Sequence, residues 1–343
     1  MNIFNFTEKT TSLPAPAADN LPPSWKGFNF LNMFYIREDG KNIFNEDDFK
    51  LISEWGFNFV RLPIDYRILT MPNDWNNMNE DAMQRLDKAV EYGIKYDIHV
   101  CLNLHRAPGY TVGYPPEKTN LWKDKEPQDA FAKLWAYFAE RYKNIPNEYI
   151  SFDLVNEPAD IDEASYAAVA KIAANAIWAQ DSKRLVIADG LEYGTIPSDM
   201  IKELGLAQAT RGYQPFTLTH YKANWVKGSE DYPLPVWPSD SDSFNKTSLY
   251  EIHFKQWENL KNSGCGIMTG EWGAHNRTPH DAVLKWMEDC LKIFKEMNIG
   301  WALWNLFGSF GIMDSGRQDV DYEDFNGHKL DRKMLNLLLK YLD

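Results

Sequence analysis

The sequence predicts an α/β fold: a single (β/α)8 TIM barrel over residues 25–343, preceded by an extended N-terminal arm over residues 1–24. Three observations predict it. Eight short apolar stretches alternate with segments of helical period, and strands joined by helices pair in parallel. The 343 residues suit one closed barrel, and no break in composition marks a second domain. No GxGxxG follows the first strand, which counts against an open doubly wound sheet.

In chain order, residues 1–24 mix polar side chains with Pro14, Pro16, Pro22 and Pro23, the composition of an arm and not of a core element. The strand candidates are Gly27–Phe34, Asn58–Ile64, His99–His105, Tyr149–Val155, Arg184–Asp189, Phe216–Tyr221, Gly266–Gly270 and Gly300–Leu306. Residues 80–96 set Met83, Leu86, Ala89, Val90 and Ile94 on one helical face. Residues 128–143 do so with Phe131, Leu134, Trp135, Phe138 and Tyr142, and residues 281–297 with Leu284, Met287, Leu291 and Phe294. A closing helix carries Leu330, Met334, Leu337, Leu338 and Tyr341. All four stripes are core faces.

Bulk properties exclude several functions. A net charge of -13 disfavours nucleic acid and anionic membrane surfaces and suits a neutral substrate. Three cysteines, Cys101, Cys265 and Cys290, are too few and too irregular for a disulfide framework. No CxxC or HExxH pattern occurs and the histidines do not cluster, so neither metal nor other cofactor is expected. The first twenty residues lack a basic n-region and an apolar run, and no stretch is long enough to cross a membrane. The expectation is a cytoplasmic protein as written, or a secreted or cell-envelope one if a signal peptide has been removed.

Functional side chains of a barrel gather at the C-terminal ends of its strands. The stretch Tyr149–Pro158, YISFDLVNEP, ends an apolar run in Asn156–Glu157–Pro158. A carboxylate there is costly unless paired or used; taken alone, it could equally be a loop acid. The stretch Gly266–Gly273, GIMTGEWG, repeats the design with Glu271, flanked by Trp272. The other predicted strand ends offer Asn29 and Asn32, Arg61 and Asp65, Asn103 and His105, Asp189 and Glu192, His220 and Tyr221, and Trp304 and Asn305. Two carboxylates meeting over a neutral substrate is the arrangement that glycoside hydrolysis needs.

These residues carry a family resemblance. The sequence resembles the retaining glycoside hydrolases of family 5, clan A, from about Trp25 to the C-terminus. The anchors are FNFVRLPI around Arg61, LNLHRAPGY around His105, AERYKNIPNEYISFDLVNEP, TGEWG around Glu271 and WALWN around Trp304. The resemblance implies that Glu157 is the general acid/base and Glu271 the nucleophile. It implies that Asn156 bonds the sugar 2-hydroxyl, that Arg61 sits beside Glu271, that His105 binds substrate and that Trp304 is the platform under the sugar. A retaining pair further implies carboxyl groups about 5–5.5 Å apart. The family's sixth strand usually shows His-x-Tyr, the tyrosine bonding the nucleophile. Here the order is His220–Tyr221–Lys222, so His220 fits and Tyr221 stands one residue early.

Loop aromatics make sugar subsites, because pyranose rings present apolar faces. Trp122, Trp225 and Trp272 are the candidates, with Trp75, Tyr110, Tyr114 and Trp237 as further loop rings and Asn32 at the first strand end. The expected function is retaining hydrolysis of β-1,4 or mixed β-1,3/1,4-linked glucan. The alternatives are a β-mannanase or exo-acting β-glucosidase of the same family, a non-catalytic carbohydrate-binding barrel, and a metal-dependent barrel built on Asp189 and Glu192. The expected partner is a β-glucan oligo- or polysaccharide. An oligomer is open through the arm, whose Phe4 and Phe6 could pack on the barrel or on a neighbouring subunit.

Overall fold

The computed structural model describes residues 21–40, 42–72, 74–239 and 244–343. Most of the proposed arm, with Phe4 and Phe6, lies outside the described residues. Eight strands form the barrel: β1 (Lys26–Asn29), β2 (Phe59–Asp65), β3 (His99–Arg106), β4 (Ile150–Asp153), β5 (Val186–Asp189), β6 (Ala207–Gly212), β7 (Ile267–Trp272) and β8 (Gly300–Leu303). Every neighbouring pair is parallel and the ring closes through β1 against β8.

The main helices are α1 (Glu46–Glu54), α2 (Glu80–Tyr96), α3 (Lys125–Tyr142), α4 (Glu163–Gln180), α5 (Asp199–Glu203), α6 (Lys255–Asn262), α7 (His280–Met297) and α8 (Arg332–Leu339). Asn45, Asn79, Asp162, Ser198 and Asp331 cap α1, α2, α4, α5 and α8 by accepting backbone N–H groups of the first turn. The apolar stripes of α2, α3, α7 and α8 pack onto the outer faces of the strands as expected. No helix of the described residues is long and apolar enough to cross a membrane.

Because side chains alternate along a strand, the barrel has two separate interiors. One is the broad shell between strands and helices. The other is a plug inside the bore: Trp25, Phe59, Cys101, Leu185, Ile187, Ala207, Ala209, Met268 and Ala302. The plug is mainly apolar, with His99 stacked on Trp25 and Phe59 and hydrogen-bonded to Ser151, whereas farther along the same strands the buried polar residues include Asn29, Arg61, Asn103, Asp153, Asp189, Arg211 and Glu271. All three cysteines are buried free thiols.

The sixth strand departs from expectation. It is Ala207–Gly212, and the expected strand Phe216–Tyr221 follows it as one helical turn, Phe216–Thr219, with a loop. The sequence AQATRG has no apolar run because its buried polar groups are paired. Gln208 accepts from Ser198 N–H at 2.9 Å and donates to Ser198 O at 2.7 Å, and Thr210 donates to Gly194 O at 3.1 Å.

Candidate active site

Glu157 lies just beyond β4, in a left-handed backbone conformation with φ 52°. Such a conformation is strained for a residue with a side chain and persists only where surroundings hold it. They do: Glu157 N–H donates to Asp189 Oδ2 at 2.8 Å, and Glu157 O accepts from the Tyr110 hydroxyl at 2.7 Å. The Tyr110 oxygen in turn accepts from Ala159 N–H at 2.9 Å. The Glu157 carboxylate is 15% exposed and so open to the rim, whereas Glu271, inside β7, is 4% exposed.

Two buried guanidinium groups join the carboxylates. Arg61 donates to Glu271 Oε1 at 2.5 Å, to Asp153 Oδ2 at 2.8 Å, to Asn29 Oδ1 at 3.1 Å and to Asn156 Oδ1 at 3.0 Å. Arg211 donates to Glu157 Oε1 at 2.9 Å, to Asn156 Oδ1 at 2.9 Å and to both oxygens of Asp189. It also lies 3.4 Å from Glu271 Oε1. Four carboxyl groups thus face two cations, which leaves an excess of negative charge if all four ionise. Burial first, then the charge of Glu271, raises the pKa of Glu157, and Arg211 opposes this. Burial and Asp189 raise Asp153. The site therefore holds a proton on Glu157 at a pH where an exposed glutamate has lost it.

Around this core, Asn156 is fully buried, its Oδ1 saturated by the two arginines and its Nδ2 without a partner. His105 stacks on Trp304 with ring centroids 5.5 Å apart, and its Nδ1 lies 4.0 Å from Glu271 Oε1 without a hydrogen bond. Burial and the nearby Arg61, Arg211 and Arg106 push its pKa well down, so the ring is neutral. Phe34 packs edge-on to both His105 and Trp304.

The structure brings Glu157, Glu271, Arg61, Asn156, His105 and Trp304 together, leaves Trp225 exposed on its loop, and corrects the expectations for Tyr221, His220, Trp272, Trp122 and Asn32. Tyr221 is not beside the nucleophile: with β6 earlier in the chain, it sits in the following loop, and its carbonyl faces His275 Nδ1. The residue that donates to Glu271 Oε2, at 3.1 Å, is Tyr213. His220 reaches neither glutamate; it stacks on Phe216 at 3.9 Å and meets the Tyr213 ring edge-on at 5.2 Å. Burial lowers its pKa to about 3, so it braces Tyr213 as a neutral ring. Trp272 follows Glu271 on the strand and therefore points the opposite way. It is wholly buried against Trp286, Phe294 and Trp301, in the strand–helix shell.

Trp122 packs edge-on to Tyr110 and Tyr166, behind the Glu157 turn. Asn32 braces its own loop, donating to Ile43 O at 2.7 Å. Tyr110 is likewise a brace, and Trp237 is buried with its Nε1–H on Asp289. Trp225 alone of the loop candidates Trp122, Trp225 and Trp237 is strongly exposed, at 59%, beside Phe310 and His275. Asp189 is occupied by Arg211 and the Glu157 amide, and the described residues contain no cluster of His, Cys, Asp and Glu able to hold a metal ion. Sequence reading missed Arg211, Tyr213 and Phe34. A usable signal for the first two was the pair itself, Arg211-x-Tyr213, at the spacing expected of His-x-Tyr.

A family model, cellulase (glycosyl hydrolase family 5), matches residues 17–309. The chain belongs to glycosyl hydrolase family 5. It shares 28% identity over 322 residues with Endoglucanase C of Acetivibrio thermocellus, across 85% of this chain and 92% of that relative. Cellodextrinase A of Ruminococcus flavefaciens is also 28% identical, across 77% of this chain and 79% of that relative. A crystal structure of a glycoside hydrolase superposes with TM-score 0.87 at 38% identity, covering 93% of this chain and 99% of that one. As a family 5 member the chain is a glycosidase, and its closed eight-strand barrel superposes on that glycoside hydrolase structure.

Proposed function

We propose that the protein is a retaining β-glucanase that cleaves β-1,4 or mixed β-1,3/1,4-linked glucan by double displacement. The observation that carries this reading is the pairing of Glu157 and Glu271 across Arg211, one carboxyl with its pKa raised and the other gripped by Arg61. Endoglucanases among the relatives supply the substrate class.

In the first step Glu271 attacks the anomeric carbon while Glu157 protonates the leaving oxygen. In the second, Glu157 takes a proton from water, which hydrolyses the glycosyl ester on Glu271. Neither role is interchangeable: Glu271 is hydrogen-bonded by Arg61 and Tyr213, whereas Glu157 stands at the exposed rim. The unpartnered Nδ2 of Asn156 is a donor for the sugar 2-hydroxyl, a bond that strengthens as charge develops on the ring. His105 and Trp304, backed by Phe34, form the platform under the sugar. Trp225 is a ring for a sugar farther out.

A second reading, action on short oligosaccharides, is favoured by the relative named Cellodextrinase A. Hydrolysis of barley glucan, carboxymethylcellulose, laminarin, mannan and short cellodextrins, with Glu271→Ala as control, tests both. Polymer cleavage with falling viscosity supports the first reading; turnover of cellodextrins alone supports the second; mannan as the best substrate contradicts both.

A further inference from the structure

The charge that does the chemistry does not stay on one residue. When Glu271 forms its bond to the anomeric carbon it becomes a neutral ester. The glycosidic C–O bond breaks, its electron pair stays on the leaving oxygen, and the proton from Glu157 completes the departing hydroxyl. Glu157 is then the carboxylate. In the return step water attacks the anomeric carbon and gives its proton to Glu157, and the electron pair of the ester bond goes back to Glu271. The net charge of the site is constant while its location alternates.

We propose that Arg211 is a positioning residue that serves as the shared counter-ion of the two glutamates, holding the site's negative charge as it passes from Glu271 to Glu157 and back. This rests on the reading of those two residues given above. Arg211 Nε donates to Glu157 Oε1 at 2.9 Å while Nη2 lies 3.4 Å from Glu271 Oε1, so one planar group faces both ends of the transfer. The ion pairs of Arg61 are with Asp153, Asp189 and Glu271. A rigid fork already aimed at both carboxylates needs no reorientation when charge moves between them.

The fold is built to hold that fork. Arg211 and Glu271 are register partners on β6 and β7, just past an irregularity in the pairing that includes one extra β7 residue, Gly270. Bulges of this kind re-aim side chains near active sites. A Cβ on Gly270 would lie 2.8 Å from Arg211 Nη1, and one on Gly194 would lie 2.7 Å from Arg211 Cγ. Both glycines leave the channel the side chain occupies. Asp189 pins the guanidinium with both oxygens, and Arg211 O faces His253 Nε2 at 2.6 Å. In family 5 a histidine usually stands two residues before the tyrosine that bonds the nucleophile; a single imidazole cannot offer this fork.

Other titratable groups face Arg211 from every side. They are Asp153 and Glu157 from β4 and its end, Asp189 from β5, Glu271 from β7 and Arg61 from β2. His105 from β3, His253, Tyr166 from α4 and Tyr213 complete the set. Loss of the Arg211 charge removes an attraction for the ionised form of Glu157, so Glu157 holds its proton to higher pH.

The test is the pH profile of kcat/KM on an aryl cellobioside for Arg211→Gln, Arg211→Lys and Gly270→Ala, with fold checked by circular dichroism. In Arg211→Gln the alkaline limb, set by Glu157, is expected to move up, by about one to three pH units. An alkaline limb that coincides with that of the parent, at whatever rate, overturns the proposal. If Arg211→Gln does not fold, Arg211→Lys decides, because one ammonium cannot serve both carboxylates: a loss of roughly a hundredfold with a retained fold supports the fork, and the parental rate overturns it. Gly270→Ala keeps the arginine and displaces its tip, and is expected to move the alkaline limb in the same direction by less. Glu157→Ala and Glu271→Ala run alongside; full activity in either refutes the assignment of the glutamates, independently of Arg211.

Discussion

Arg61 on β2 and Arg211 on β6 enter the barrel from different sides, and both are buried to about the same extent. Both donate to Asn156 Oδ1, so the asparagine amide is fixed from two directions with its Nδ2 turned free. They share Glu271 and Asp189 as ion-pair partners and differ in the third, Asp153 for Arg61 and Glu157 for Arg211. Arg61 joins Glu271 to Asp153, a residue that lies deeper on β4. Arg211 joins the buried Asp189 and Glu271 to Glu157 at the rim. One arginine fixes the nucleophile to the scaffold; the other spans the reacting pair. The difference teaches that the nucleophile is held by two cations and a tyrosine, whereas the acid/base depends on Arg211 and a strained turn.

Removing the nucleophile should break the Arg61 side completely: Glu271→Ala is expected to lose at least about 10⁴-fold in kcat on glucan, measured by reducing-sugar release. Glu157→Ala should lose nearly as much on glucan but retain turnover on an activated aryl glycoside, where azide restores rate by attacking the glycosyl ester. An azide-independent rate on both substrates would remove Glu157 from the mechanism. Asn156→Ala is expected to lower kcat/KM by roughly 10²- to 10³-fold with the pH limbs little changed, since its contribution is a hydrogen bond to sugar.

Titration sharpens the comparison further. The alkaline limb of kcat/KM reports Glu157, whose raised pKa keeps it protonated through the ordinary carboxylate range; activity falls as pH rises through that value. Glu271→Gln removes the like charge, so the Glu157 midpoint should move down, seen by carbon NMR of labelled glutamate; an upward move would contradict the assigned cause. The smallest effects separate the two tyrosines. Tyr213→Phe should cost about tenfold in kcat, and Tyr221→Phe should stay near the parent.

The part of this site that is legible in the sequence is the part set in apolar surroundings. Arg61 in FNFVRLPI, Glu157 ending YISFDLV and Glu271 ending GIMTG are charges at the edge of or within runs that have no other reason to hold them. Arg211 stands in AQATRGYQP among paired polar residues, so no run betrays the strand, while FTLTHY has β-rich composition yet forms a helical turn and loop. Local propensity there yields to the barrel's closure, which needs β6 at Ala207–Gly212 to bridge β5 and β7. Trp272 misleads for another reason: its neighbour Glu271 faces the bore, and alternation alone sends the tryptophan to the helices. Phe34 ends the apolar stretch Gly27–Phe34 in the sequence, but β1 stops at Asn29 and the chain turns at Leu31–Met33, which carries the ring toward His105 and Trp304.

In the proposed mechanism Glu157 and Glu271 act in two successive displacements at one carbon. Proton NMR of the first products released from a cello-oligosaccharide, recorded before mutarotation, tests it directly. Double displacement releases the β-anomer, retained from the substrate. The α-anomer would mean a single displacement by water, and would contradict the assignment of Glu271 as nucleophile.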